Sequence, residues 1–159
     1  MDVLIREAII EDYKNLSEIY EELDEYHRLN HPELFVKPNK IPRDKSYIQN
    51  IISDERKALF VAEIESKIVG LAECYILKPP NFGVFREREW VQLDSIVVKK
   101  EYQNLKIGTM LLEKVIEWAK GKGIDRIELK VYLFNENALN FYLEKGFKEL
   151  SKVMYFDII

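Results

Sequence analysis

VQLDSIVVKKEYQNLKIGTMLLEKVIEWAKG, residues Val91 to Gly121, reads as a strand, a short polar turn ending in Gly108, and a strongly amphipathic helix. Leu111, Leu112, Val115, Ile116 and Ala119 fall on one helical stripe. Gly121 and Gly123 stop that helix, and Lys120 and Lys122 suit its C-terminal dipole. The first N–H groups of a helix have no partner within it and sit at the positive end of the dipole, so they attract anions, phosphate above all. A P-loop would need a glycine upstream of Lys106-Ile107-Gly108-Thr109, and a Rossmann fingerprint would need three glycines after the first strand. Neither is present. The residues alone leave two readings of the turn, a phosphate site or a plain strand-to-helix connection.

Upstream of this stretch, Val3 to Ile10 reads as a first strand and Asp12 as the cap of a helix. Leu16, Ile19, Tyr20, Leu23 and His27 recur at helical spacing. Glu18, Glu21, Glu22 and Glu25 lie mostly on the opposite face. Asn30 to Pro42, with three prolines, is a loop. Arg43 to Ser53 predicts a shorter helix. Ala58–Ile64 and Ile68–Leu77 are apolar runs spaced as a β-hairpin, and Pro79 to Glu89 is a second loop. Downstream, Arg126 to Leu133 alternates as a strand, with Ile127, Leu129, Val131 and Leu133 on one face. Asn135 is a good N-cap for a last helix through Lys145. Gly146 suits a left-handed stop, with Phe147 packing back on Tyr142. Lys148 to Ile159 predicts a final strand. The order βααβββαβαβ implies one α/β domain over residues 1–159, in three layers, with antiparallel hairpins in the middle and a crossover near the end.

Composition narrows the class. Of 159 residues, 47% are hydrophobic and 33% charged, as in ordinary globular proteins, and the net charge of −4 argues against a nucleic-acid binder. The single cysteine, Cys74, permits no internal disulfide and no cysteine-based metal site. It fits a reducing, cytoplasmic setting and reads as a buried structural thiol. MDVLIREAIIED has neither the basic nor the apolar region of a signal peptide, and no apolar run reaches membrane-span length.

The segment Leu93-Asp94-Ser95-Ile96-Val97-Val98, followed by Glu101 to Thr109, resembles motif A of the GNAT family of N-acetyltransferases, whose signature is [R/Q]xxGx[G/A]. Gln103 and Gly108 match it, and Lys106 stands where the family has its first glycine. Val131 to Asn135, Ala138, Phe141-Tyr142 and Glu144 to Phe147 resemble the family's motif B. The order of elements is similar over essentially the whole chain.

This resemblance implies a GNAT-like mixed, mostly antiparallel sheet with helices on both faces. It also implies acetyl-CoA as co-substrate and no metal. The thioester is expected along the backbone of Ile96, Val97 and Val98. The pyrophosphate is expected on the N–H groups of Gln103, Asn104, Leu105, Lys106, Ile107, Gly108 and Thr109. Asn135 faces the coenzyme in relatives, and its plain alternative is a helix cap. Tyr142 matches the tyrosine that protonates the leaving thiolate, or else is a core tyrosine. Asp94 matches an acidic position that serves as base or water relay, with Glu73 as a substitute; Gln92, Asp94 and Ile96 share a face if the strand is regular.

The first helix and its loop lie over the acceptor in the family, which makes His27, His31 and Asp24 (or Glu25) candidate substrate contacts. His27 and His31 are four apart, but Pro32 and the helix end spoil a shared metal-binding face. The expected activity is acetyl transfer to a primary amine, a polyamine or amino acid being favoured, by direct attack in a ternary complex. A non-catalytic acyl-CoA sensor and an acetyltransferase acting on proteins or peptides are the rival readings. Relatives often form homodimers, and the final strand is the element expected to pair.

Overall fold

In the computed structural model, which describes residues 1–159, the apolar periodicities become two layers of helix around one sheet. The strands are β1 (Leu4–Glu7), β2 (Lys57–Ile64), β3 (Lys67–Leu77), β4 (Trp90–Val98) and β5 (Ile127–Leu129). The helices are α1 (Tyr13–Asn30), α2 (Lys45–Ile52), α3 (Ile107–Gly121) and α4 (Glu136–Glu144). The sheet runs β1-β2-β3-β4-β5, antiparallel until the last pair, which is parallel.

Strands buried on both faces are apolar at nearly every position, and β2 and β3 show this. On one face, Leu59, Val61, Ile68 and Leu71 pack with Leu16, Ile19 and Tyr20 of α1 and Ile48 and Ile51 of α2. On the other, Phe60, Ala62, Val69, Ala72 and Cys74 pack with Ile107, Leu111, Leu112, Val115 and Ala119 of α3 and with Tyr142 of α4. The β2–β3 turn places Glu65 and Ser66 at φ 49° and 64°, as a two-residue hairpin requires.

Local signals mark most boundaries. Asp44 caps α2 by accepting the Tyr47 N–H at 2.9 Å. Asn135 caps α4 by accepting the Ala138 N–H at 3.2 Å. Gly146, at φ 95°, closes α4 with bonds from its own N–H to the Leu143 carbonyl and from the Phe147 N–H to the Tyr142 carbonyl. Phe147 lies 5.3 Å from the Tyr142 ring, centroid to centroid. Asp12 behaves differently from the sequence reading. It precedes α1, but its carboxylate serves Arg6 and the Ile9 N–H instead of the helix N–H groups.

Two strand expectations are corrected. The alternation from Arg126 to Leu133 yields a strand only at Ile127–Leu129, because β5 pairs with β4 solely through Val91, Gln92 and Leu93 and then diverges. Leu133 is exposed as a result. The tail from Lys148 to Ile159 forms no strand: it meets no sheet edge, and Val153, Met154, Tyr155, Phe156, Ile158 and Ile159 are each at least 87% exposed.

Candidate active site

The divergence of β5 leaves β4 without a strand partner on that side from Asp94 to Val98. This half of β4 is where the sequence placed the thioester. Ile96 and Val98 pack toward the α3 core, and Val97 toward α1 and α2. β4 runs on through a 3-10 turn (Lys100–Tyr102) to α3, so the free strand edge and the helix start are neighbours in sequence.

The turn into α3 leaves its backbone donors unpaired. None of the backbone N–H groups from Asn104 to Thr109 finds an acceptor within the chain. Lys106 is the N-cap residue at φ 63°, ψ 14°, and no side chain caps the helix. It therefore adopts the left-handed conformation that glycine takes most readily, at a cost of about 1 kcal/mol for a residue with a Cβ. Asn104 is left-handed as well, at φ 64°. Alternating conformations of this kind turn successive N–H groups toward one concavity. Gln103 plays another part: its side-chain amide donates to the Val98 carbonyl at 3.1 Å and ties the turn to the end of β4. A Cβ on Gly108 would meet the Phe141 ring at 3.6 Å, an ordinary contact.

A β-bulge sets the acidic side. Glu73 pairs with Ser95 and Cys74 with Leu93, so Asp94 is the extra residue of β4. This corrects the regular-strand reading: Gln92 lies opposite Tyr75 and Ile96 opposite Ala72, on different faces of the sheet. Asp94 is exposed, and its carboxylate accepts the Ser95 hydroxyl at 2.7 Å. Its charge raises the pKa of Glu73, Tyr47 and Tyr75, so it shares their neighbourhood.

Glu73 is 5% exposed and accepts two phenols, Tyr20 at 2.5 Å and Tyr47 at 2.8 and 3.0 Å. Burial pushes its carboxyl above the usual range, Asp94 adds to the effect, and the tyrosine bonds oppose it. The sequence reading put Tyr20 on a helical stripe and gave neither Tyr20 nor Tyr47 a role at the site. A glutamate inside the apolar run IVGLAECYIL was the available signal, since a buried carboxylate demands donors. Cys74, beside it, is fully buried, and burial pushes its thiol to about 12, so it stays protonated.

On the opposite side, Tyr142 is 9% exposed among Phe141 and Phe147. Burial raises its phenol to about 12, and its hydroxyl bonds to no group of the chain. Asn135 holds the start of the same helix.

The remaining candidates divide. Asp24 is balanced by Arg43 at 2.7 Å, and the Arg43 guanidinium lies 4.4 Å over the Tyr20 ring. His27 and His31 join an aromatic cluster with Phe35, Tyr132 and Phe134, with ring centroids 5.2–5.8 Å apart. This cluster links the end of α1 to the segment after β5. Burial lowers the His27 pKa, and His31 contacts Glu33 at 2.6 Å. No group of three or more His, Cys, Asp or Glu is placed to hold a metal ion.

The family profile described as acetyltransferase (GNAT) matches residues 16–147. The chain belongs to the GNAT acetyltransferase family.

Among GNAT relatives, an uncharacterized N-acetyltransferase of Methanocaldococcus jannaschii is 32% identical over 107 residues, which is 67% of this chain and 46% of that protein. The chain thus spans about half the length of that relative. A thialysine N-epsilon-acetyltransferase of Bos taurus is 28% identical over 158 residues, covering 94% of this chain and 86% of the relative. An L-ornithine N5-acetyltransferase of Arabidopsis thaliana is 32% identical over 78 residues, 47% of this chain and 34% of that one. The crystal structure of a Bacillus halodurans protein superposes with TM-score 0.91 at 25% identity, over 98% of this chain and 99% of the other. An aminoglycoside N-acetyltransferase in complex with CoA shares the fold, with TM-score 0.79 at 16% identity over 99% and 95% of the two chains.

Proposed function

We propose that this GNAT chain moves the acetyl group of acetyl-CoA to a primary amine of a small molecule, by direct attack in a ternary complex. The observation that carries the reading is the run of free N–H groups from Asn104 to Thr109, which continues from the unpaired edge of β4. The first suits a pyrophosphate and the second a pantetheine arm and thioester. Lys106 fits this arrangement because its backbone already holds the glycine-like conformation. The Bos taurus, Arabidopsis and CoA-bound neighbours, named for thialysine, ornithine and aminoglycosides, support an amine acceptor.

The two sides of the β4 edge divide the chemistry. An acceptor ammonium is drawn to Asp94 and Glu73, and Asp94 takes its proton, directly or through water. The freed nitrogen lone pair forms the new N–C bond at the thioester carbonyl, and the C–S bond then breaks. Tyr142 gives its proton to the departing thiolate, the nitrogen sheds its second proton through water, which restores the Tyr142 hydroxyl, and the products are the neutral amide and free CoA. Burial holds the phenol near 12, so it stays protonated until the C–S bond breaks; a thiolate, of conjugate pKa about 8.5, is the weaker base, so collapse of the tetrahedral intermediate and not the acidity of the phenol drives the transfer.

The test is release of free CoA from acetyl-CoA by the purified protein, across polyamines, amino acids, aminoglycosides and peptides. Acceptor-dependent thiol release supports the reading. Tight acetyl-CoA binding without turnover on any amine makes the protein a sensor, and turnover on peptides alone moves the acceptor to proteins.

We also propose that two copies pair through the tail. Residues 148–159 carry the apolar content of a strand and leave it in water, while the outer edge of β5 in the same chain has no partner. An added antiparallel strand from a second copy satisfies both. No helix is long and apolar enough to cross a membrane, and the reduced, buried thiol of Cys74 suits the cytoplasm.

A further inference from the structure

The loop after α1 folds over the end of that helix and borders a hollow of about 410 Å³ against α2, a size ordinary for small-molecule sites. Its wall reaches both sides of the β4 split. Phe35, in that wall, packs against His27 and Tyr132, and Tyr132 lies in the segment that follows β5. Tyr47, also in the wall, donates to Glu73 beside the β4 bulge, and the charge of Asp94 acts on it. The strands that diverge around the expected thioester are thus both linked to the hollow.

The charges of the wall are used up within the chain. Arg43 is paired with Asp24 at 2.7 Å and lies 4.4 Å over the Tyr20 ring. Arg28 is paired with Glu21 at 2.5 Å, and its other terminal nitrogen is buried out of a ligand's reach. The rest of the wall is Phe35, Val36, Pro38, Pro42 and Tyr47. A carboxylate entering here finds no free cation, and an ammonium finds no free anion. Either would lose its water without gaining a partner.

Past Tyr47 the balance changes. Glu73 and Asp94 are two carboxylates whose side-chain donors are only the hydroxyls of Tyr20, Tyr47 and Ser95. A ligand that suits both regions has a single ammonium at the carboxylate end and an uncharged body in the hollow. We propose that the acceptor is a primary monoamine with an uncharged, apolar body, and that the Phe35 ring favours an aromatic one. This assignment rests on the amine-acetylation reading and narrows it. Diamines, amino acids and aminoglycosides each carry a further charge that this wall does not meet.

Three probes share a five-carbon chain and one ammonium and differ at the far end. They are n-pentylamine, cadaverine with a second ammonium, and 5-aminopentanoate with a carboxylate. A fourth, 2-phenylethylamine, adds a ring. Calorimetry on the CoA-loaded protein measures binding without turnover. The expected result is n-pentylamine about tenfold or more tighter than either doubly charged probe, and 2-phenylethylamine tighter still. Phe35→Leu is expected to cut the advantage of the ring over n-pentylamine to less than about twofold. Val36 is 80% exposed, so Val36→Asp adds an unpaired carboxylate to the wall without disturbing the core. That variant is expected to bind cadaverine about threefold tighter at low salt. Equal binding of the three chains, a preference for either doubly charged probe, or no measurable binding of any of the four overturns the assignment. A ring that binds no tighter than n-pentylamine overturns the part given to Phe35. The comparison on the unaltered protein decides this even if Phe35→Leu fails to fold. A monoamine preference with no CoA release on any amine would sink the acetyl-transfer reading and leave the subsite standing. CoA release on cadaverine or 5-aminopentanoate ahead of n-pentylamine would do the reverse.

Discussion

Tyr47 donates its hydroxyl to Glu73 at 2.8 Å, and so joins the wall of the hollow beneath the loop to a carboxylate buried in the sheet. The bond crosses from α2 to β3, between residues 26 apart in sequence. It holds a group that the fold would otherwise prefer to keep neutral. Burial raises the Glu73 carboxyl above its ordinary 4.5, against the pull of its tyrosine donors. A carboxyl that binds its proton more tightly in the folded chain than in the unfolded one weakens the fold as pH rises past the unfolded value. Below about 4.5 both states are protonated and the penalty disappears. Glu73→Gln is therefore expected to melt higher than the parent at neutral pH and to lose that advantage by about pH 4. Parallel melting curves across that range would show that Glu73 carries no raised pKa.

Asp94 stands on the bulge with its charge exposed, and its predicted loss of function differs in kind. Without a carboxylate to take the proton, the reaction depends on the fraction of acceptor already neutral, which grows with pH up to the amine's own pKa of about 10. Asp94→Asn should lower kcat/KM by about tenfold or more near pH 7 and recover much of it toward pH 9.5. A profile that falls by the same factor at every pH would remove Asp94 from proton transfer.

How much of this was legible beforehand follows from where each signal resides. The α3 stripe, the β2–β3 hairpin and the α4 cap and stop are local: periodicity, turn residues and Asn135 or Gly146 act within a few positions, and the structure keeps them. The strand after Arg126 carries the right alternation, but strand formation needs an edge to pair with, and β4 offers one only as far as Leu93. The same dependence explains the tail. At the candidate site, the turn into α3 was legible as a turn because it lies within one stretch. The Tyr20–Glu73–Tyr47 cluster was not, because α1, α2 and β3 meet only through packing. The bulge that frees Asp94 is a register decision between β3 and β4, and no single residue announces it.

Tyr142→Phe removes a hydroxyl that bonds to nothing in the chain and leaves the buried ring in place against Phe141 and Phe147. Stability should change by less than about 0.5 kcal/mol. If the hydroxyl protonates the leaving thiolate, kcat should fall roughly a hundredfold with KM little altered, since the interaction develops only in the transition state. Unchanged kcat with an unchanged melting temperature would make Tyr142 a packing residue.

Lys106→Gly separates backbone from side chain at the phosphate turn. The left-handed conformation at φ 63° suits glycine, so the variant should gain about 1 kcal/mol from relief of strain, less the greater freedom of glycine in the unfolded chain. The lost ammonium should weaken CoA binding about threefold at low salt and less at high salt, as for an exposed charge beside a phosphate. Tighter CoA binding in the glycine variant would show instead that the lysine obstructs the approach.

Removing residues 149–159 tests what the tail is for. The excised segment holds Tyr155 and Phe156, each 87% exposed, and contributes nothing to either core of its own chain. If it adds a strand to the β5 edge of a second copy, the parent should weigh as twice 18.9 kDa by light scattering and the truncated chain as one copy. Tyr155→Glu combined with Phe156→Glu should act like the truncation, because one charge on either strand face cannot be buried against a partner sheet without cost. A tail that serves only its own chain predicts a different result: the parent would weigh as a single copy, and truncation would lower the melting temperature without changing the mass class. The two outcomes exclude each other, so light scattering and one melting curve decide between an exchanged strand and a tail folded at home.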